Sequence, residues 1–403
     1  MKTGLEDKYI LKNNKKLYFG YTTGSCAAAS AKAGALMLFT GIPQERIDLM
    51  TPKGILLHLE IVEIRIEKDE VICAVRKNGG DDPDATHGIL IYTRVKKNAY
   101  DEIRIDGGIG VGRVTKKGLE QEIGSAAINK VPRKMIRENV KKVCEDFDYN
   151  GGLDIEVFVP EGEAVAKKTF NPMLGIIGGI SVLGTSGIVM PMSEAALIDS
   201  IRVEMRVKKE SNDSDYLIVT PGNYGTYFSI DNLNLPDDFM LKCSNYVGET
   251  VDIALELGIR GILFVSHIGK FIKLSGGIMN THSAFADSRM ELMAANALRA
   301  GADVETAARI LECINTEDAV SVLDESGLLE PAVKIILDKI RFYLDKRSCG
   351  RLETAVILFS NEYGKLGCTE NVEGLLEKIK EKNGWLENCT VSELGQETRN
   401  CSP

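Results

Sequence analysis

YLIVTPGNYG (Tyr216–Gly225) opens on an apolar run and stops abruptly at Pro-Gly. A short β-branched and aromatic run that meets such a breaker reads as a buried strand delivered into a loop. The pattern returns in GILFVSHIGK (Gly261–Lys270) and in Val356–Ser360, which runs into NEYG (Asn361–Gly364). Helical stretches separate these strands: 193–208, 249–257, 284–301, 304–314 and 329–343. Ile180–Leu183 reads as one more short strand ahead of the series. This βαβαβ alternation predicts an α/β Rossmann-like C-terminal domain with a mostly parallel sheet over residues 172–365. Ligands of such sheets sit at the carboxyl ends of the strands. That edge is expected to carry Gly184–Gly187, Gly222–Gly225, Ser266–Lys270 and Asn361–Gly364.

Upstream, residues 1–165 predict an α+β domain whose loops contact substrate. Gly24–Gly41 is an Ala-rich helix with a glycine past its end. Strands are expected at 46–50, 55–66, 70–76, 88–95, 102–105 and 153–159, with a helix at 131–144. Residues 366–403 read as a polar C-terminal extension, helical over 373–382 and frayed from about Ser392.

The bulk chemistry narrows the function. Lys and Arg number 49 against 58 Asp and Glu, a net charge of −9. Nucleic acid is not an expected partner, since polyanions need a basic face. Nine cysteines, none in a CxxC pair, form neither a zinc signature nor a disulfide framework. A reducing, cytoplasmic location is expected. Residues 170–193 carry no charge, which raises a membrane-spanning reading, but Pro172, Pro191 and five glycines would break a lipid-facing helix. No membrane partner is expected, and an assembly of identical chains is compatible with the composition.

Several loops have the chemistry of binding sites, each with a plainer reading beside it. In GYTTGSCAAAS (Gly20–Ser30), Thr22, Thr23 and Ser25 stand at a helix start, where free N–H groups bind anions. The plainer reading is an N-cap by Thr23 or Ser25. GGDDPDATHG (Gly79–Gly88) offers Asp81, Asp82 and Asp84 as oxygen ligands for a divalent ion, or Asp84 and His87 as acid–base groups facing a substrate, or a solvated turn. GGISVLGTSG (Gly178–Gly187) lacks a strict GxGxxG but suits close approach of a nucleotide at Gly184, Thr185, Ser186 and Gly187, or a packing turn. Gly222, Asn223 and Gly225 are placed likewise after the next strand. Lys270, Lys273 and Arg289 form a candidate carboxylate clamp, with His282 a further candidate substrate contact; the plainer reading is solvated turn lysines and a surface helix charge. No spacing of His and Cys argues for a metal site, and no metal is expected.

Nine stretches, in order over residues 18–365, together resemble the cobalt-precorrin-5B C1-methyltransferases of anaerobic cobalamin biosynthesis. They are GYTTGSCAAA (20–29), TPKG (51–54), GGDDPDATHG (79–88), GGIGVGRVTKKGL (107–119), INKVPRKMI (128–136), GGISVLGTSGIVMPMS (178–193), GNYG (222–225), SNYVG (244–248) and HIGKFIKLSGGIMNTHS (267–283). Lys117 and Lys130 depart from frequent prolines, and Ser125–Ala126 from a frequent Glu-Pro. The resemblance implies methyl transfer from S-adenosylmethionine to C1 of cobalt-precorrin-5B, giving cobalt-precorrin-6A. The tetrapyrrole substrate carries its own cobalt, and its acetate and propionate groups call for Lys and Arg partners. Outside that family, the same glycine loops suit a non-catalytic tetrapyrrole or nucleotide carrier. An NAD-dependent oxidoreductase is disfavoured by the missing GxGxxG.

Overall fold

A computed structural model describes residues 2–12, 14–235 and 239–382. The chain is a mixed α/β protein divided into two compact units, Met1–Glu194 and Ala195–Pro403. The expected boundary near residues 165–172 thus moves to 194.

In the first unit a five-stranded sheet runs in the order Val62–Ile66, Glu70–Arg76, Leu90–Lys97, Leu153–Phe158, Ile103–Gly107. Its neighbours are antiparallel except for the last pair. The helix Thr23–Thr40 packs on Glu70–Arg76 and Leu90–Lys97, and also against the helix Lys130–Asp146. Being covered on both sides, it needs small residues; Ala27, Ala28, Ala29, Ala31, Ala33 and Ala35 are all buried. A side chain at Gly34 would come within 2.8 Å of Val95 Cγ2. The helix ends at Gly41, whose φ of 66° is left-handed. The strand expected over 55–66 is two strands: Leu56–Glu60 pairs with Arg46–Met50, and Val62–Ile66 joins the main sheet. Glu63, at φ 53°, marks an irregularity just after this change of partner.

The uncharged segment 170–193 also belongs to the first unit. Ile176–Ile177 pairs with Arg113–Val114, Gly179–Ile180 with Gly110–Val111, and Ile188–Val189 with Gly20–Tyr21. The strand expected at Ile180–Leu183 is therefore no part of the C-terminal sheet. The reason is a close backbone approach: a Cβ on Gly179 would lie 2.1 Å from the Gly110 carbonyl oxygen. Among the described residues no helix is long and apolar enough to cross a membrane.

The second unit holds a sheet in the order Met240–Lys242, Tyr216–Thr220, Gly261–His267, Glu353–Ser360, Gly364–Cys368. The first four strands are parallel and the last is antiparallel. The short strand Met240–Lys242 and the helix Thr316–Glu325 were not expected; the latter is capped by Asn315, whose Oδ1 accepts the Asp318 N–H at 3.0 Å. Residues just past 365 are no extension. Gly364–Cys368 completes the sheet, and the helix Val372–Lys382 buries Val372, Leu375, Leu376 and Ile379 in its core. The end expected to fray, from Ser392, lies outside the described residues.

Candidate functional site

Within the second unit, strand order reverses beside Tyr216–Thr220. The chain leaves that strand for Met240–Lys242 on one side and returns to Gly261–His267 on the other. The connections diverge at the carboxyl ends of Tyr216–Thr220 and Gly261–His267, which is where open α/β sheets leave a crevice. Pro221–Gly225 and His267–Lys270 flank it. Gly225 is buried, and a Cβ there would meet the Val265 carbonyl oxygen at 2.6 Å, so it serves helix–sheet packing. Gly222 differs: the nearest atom to its absent Cβ is Lys270 Nζ, at 4.0 Å. Asn223 is exposed, as are the rings of Tyr224 and Tyr227 at 69% and 61%.

Lys270 is half-buried and donates to the Pro221 carbonyl at 3.2 Å. Burial, reinforced by the nearby Lys273 charge, lowers its pKa. Burial pushes the Cys243 thiol up to about 12, so it is no thiolate at neutral pH.

Against His267 stands a residue that the sequence reading missed. Glu317 Oε1 lies 2.7 Å from His267 Nε2 and accepts the Asn361 N–H at 3.2 Å, while Ser360 donates to its other oxygen. His267 Nδ1 accepts the Gly269 N–H at 3.0 Å. That leaves the imidazole proton on Nε2, directed at the carboxylate. Burial alone would raise the Glu317 pKa, but the Ser360, Asn361 and His267 contacts bring it below the usual carboxylate range. This group ties the ends of Gly261–His267 and Glu353–Ser360 to the start of the Thr316–Glu325 helix. It is a girder rather than a free acid–base pair.

Lys273 is 3% exposed and donates to the carbonyls of Thr281 (3.1 Å) and Ala286 (2.8 Å). It fixes the loop that carries the exposed His282, whose Nδ1 accepts the Ala284 N–H at 3.0 Å. Arg289 grips Asp287 with two hydrogen bonds, at 2.7 and 3.1 Å. Of the expected carboxylate-binding group, Lys270 remains the cation that faces the crevice.

The first-unit candidates are committed elsewhere. Thr22, not Thr23 or Ser25, is the N-cap; its Oγ1 accepts the Ser25 N–H at 3.2 Å. The Gly24 N–H donates to the Leu183 carbonyl at 2.8 Å, so these helix-start donors are already bonded. Thr23 Oγ1 accepts the Leu183 N–H at 2.8 Å, and Ser25 Oγ donates to the Gly187 carbonyl at 2.7 Å. Gly184–Gly187 thus knots onto Thr22–Ser25 within the first unit, and it follows no strand of the C-terminal sheet. Gly184 has φ 138°, and a Cβ there would lie 2.2 Å from Thr22 Oγ1; Ser186 donates to the Ile188 carbonyl at 2.9 Å. Among the described residues the Thr185 side chain makes no hydrogen bond.

The acidic loop is stapled on several sides. Asp84 Oδ2 lies 2.5 Å from Lys77 Nζ, and its Oδ1 accepts from Thr86 N and Oγ1 at 2.7 and 2.6 Å. Asp81 accepts the Tyr18 N–H at 2.6 Å and Asp82 the Met192 N–H at 2.9 Å. His87 Nδ1 accepts the Gly79 N–H at 3.2 Å, while the residue itself is exposed. Burial would raise the Asp84 pKa, but Lys77 and Thr86 outweigh it and hold the carboxyl low. Such a carboxylate is a poor base. Among the described residues no His, Cys, Asp and Glu gather as a metal-ligand set.

Residues 10–191 match the family model CbiD, and residues 280–370 match CbiD, C-terminal domain. A cobalt-precorrin-5B C(1)-methyltransferase of Ruminiclostridium cellulolyticum is 49% identical over 356 residues, covering 88% of this chain and 92% of that protein. One of Alkaliphilus metalliredigens is 42% identical over 374 residues, covering 93% and 98%. The crystal structure of a cobalamin biosynthesis protein (cbiD) from Archaeoglobus fulgidus is 27% identical and covers 70% of this chain and 87% of that one. The TM-score of that pair is 0.38.

Proposed function

The chain belongs to the CbiD family, and from that premise we infer that it methylates C1 of cobalt-precorrin-5B in cobalamin biosynthesis, with S-adenosylmethionine as the donor. The donor's site is proposed at the carboxyl edge of the second-unit sheet, which reads as Rossmann-like. One observation carries this placement: at the strand-order reversal, Gly222 is left open toward Lys270.

The residues present fit a nucleoside that ends in an amino acid. The exposed Tyr224 and Tyr227 rings suit stacking on a purine. Gly222 and Asn223 permit close approach, and the Lys270 ammonium suits a carboxylate. The Glu317–His267–Ser360 group holds this edge rigid, which is what alignment requires. Bound there, the donor supplies a sulfonium methyl; the new C–C bond forms as the S–CH3 bond breaks, leaving a neutral thioether. Correct positioning of two bound partners can remove about 7–11 kcal/mol from such a barrier, so no strong base is demanded of the protein. Lys273 supports this reading indirectly by fixing the loop of His282, which remains a candidate substrate contact. A cytoplasmic setting is proposed, in keeping with free buried thiols at Cys26, Cys73, Cys144 and Cys243.

The test is transfer of a labelled methyl from S-adenosylmethionine to the cobalt-precorrin. Donor binding with no label transfer would turn the reading toward a carrier.

A further inference from the structure

Helix starts favour acidic residues, because their first N–H groups carry partial positive charge. Lys130–Asp146 breaks that rule. Its first turn has no acid, and Lys130, Arg133, Lys134 and Arg137 follow at i, i+3, i+4 and i+7, which sets four cations on one face. Like charges at these spacings oppose the helix. A local electrostatic conflict of this kind is expected where a ligand of opposite charge relieves it.

The stripe lines a first-unit cleft of about 1060 Å3, where five cations face three acids in a chain whose net charge is −9. That volume is at the top of the usual range for small-molecule sites, about 300–1,000 Å3. Arg113 is already paired with Asp106 at 2.8 Å, and Lys134 lies 3.6 Å from Glu138. Among the described residues, the side chains of Lys130, Arg133 and Arg137 have no carboxylate within ion-pair range; Glu120 Oε2 accepts only the Lys130 backbone N–H, at 3.4 Å. Arg133 is half-buried and gives three N–H groups to the carbonyls of Ile128 (2.9 Å), Ile105 (2.8 Å) and Ala126 (3.2 Å). A guanidinium has five, so two remain. Carbonyls orient the group without neutralising it. A half-buried oriented cation, flanked by two unpaired ones on a cleft wall, is built to receive carboxylates.

We propose that this cleft binds peripheral carboxylates of the tetrapyrrole substrate, through Arg133, Arg137 and Lys130. The assignment rests on the functional reading above, and it concerns residues outside the loops that first suggested binding.

The probe is an octacarboxylate porphyrin, titrated into the full chain and followed by its own absorbance. Wild type should bind it, with affinity falling as salt rises. A Lys130→Gln/Arg137→Gln double variant should bind about tenfold more weakly or worse at unchanged melting temperature. Lys141 and Lys142 lie further along the same helix and do not line the cleft, so Lys141→Gln/Lys142→Gln should bind like wild type. No porphyrin binding by wild type, full affinity in the first double variant, or an equal loss in the second would each overturn the proposal. S-adenosylhomocysteine is titrated in parallel. Its failure to bind wild type would count against the donor site of the second unit and leave the porphyrin results to judge the cleft.

Discussion

Two glycine-rich loops that look alike in sequence, Leu183–Gly187 and Pro221–Gly225, do opposite things. In the first unit, Leu183–Gly187 spends its polar groups on Thr22, Thr23, Gly24 and Ser25, and its glycines avoid direct clashes. In the second, Gly222 faces open space toward a half-buried lysine, and two tyrosines stand exposed. Glycine, Ser and Thr after a strand are therefore weak indicators of a ligand. The discriminating quantity is whether the donors, and the space a Cβ would occupy, are already used by the protein.

The largest effect expected from this contrast is at Gly184. Gly184→Val adds a side chain where φ is 138° and Thr22 Oγ1 already stands 2.2 Å from the Cβ position. The cost should exceed about 4 kcal/mol, lowering the melting temperature by roughly 10 °C. Calorimetric unfolding checks it; a variant of normal stability that has lost S-adenosylhomocysteine affinity would reverse the roles of the two loops.

Next comes the acidic loop. The Lys77 side chain is 2% exposed, so Asp84→Asn leaves a buried ammonium uncompensated, at roughly 2–4 kcal/mol. The folded Asp84 pKa is depressed, so the carboxylate's stabilisation is present above its unfolded value of about 3.9 and fades as pH falls through the lower folded value. Denaturant melts at pH 7 and below pH 4 should show the gap between wild type and Asp84→Asn closing in acid. Turnover lost at full stability would instead make Asp84 a catalytic group.

In the second unit effects should move from stability to binding. Lys270→Ala should weaken S-adenosylhomocysteine about tenfold, a charge-assisted contact, with little change in melting temperature. Its pKa is lowered by burial, so wild-type affinity should begin to fall at a lower pH than an ordinary lysine would dictate. An affinity that stays flat up to the range where an ordinary lysine titrates, about 10.4, would remove Lys270 from the site. The smallest effect belongs to Arg289→Ala. Its pair with Asp287 is partly exposed and worth less than about 1 kcal/mol, and the Michaelis constant for the tetrapyrrole should be nearly unchanged. A large rise would restore Arg289 as a substrate contact.

How far the sequence disclosed this arrangement follows from what each residue depends on. The Thr23–Thr40 helix was legible because alanines and a terminal Gly41 are local signals. So were Tyr216–Thr220 and Gly261–His267, whose apolar runs end at breakers. Ile180 was misplaced because a short strand before glycines looks the same in either unit; its partner, Val111, is remote in sequence. Met240–Lys242 is too short to announce itself. Glu317 was invisible because its meaning comes from His267, fifty positions earlier. Lys273 looked like a turn lysine, and only the fold brings the Thr281 and Ala286 carbonyls to it. The cationic stripe of Lys130–Asp146 went unread in the sequence, although its i, i+3, i+4, i+7 spacing and the missing first-turn acid were the signal that could have found it.

The central claim is that the methyl donor sits at the carboxyl edge of the second-unit sheet, and Gly222→Val tests it most directly. Gly222 is in extended backbone, with no atom nearer than 4.0 Å to its Cβ position, so valine should fold without strain. Titration calorimetry with S-adenosylhomocysteine should find affinity at least about tenfold weaker than wild type, at a melting temperature within about 2 °C. A folded Gly222→Val protein that binds S-adenosylhomocysteine as tightly as wild type would contradict the account.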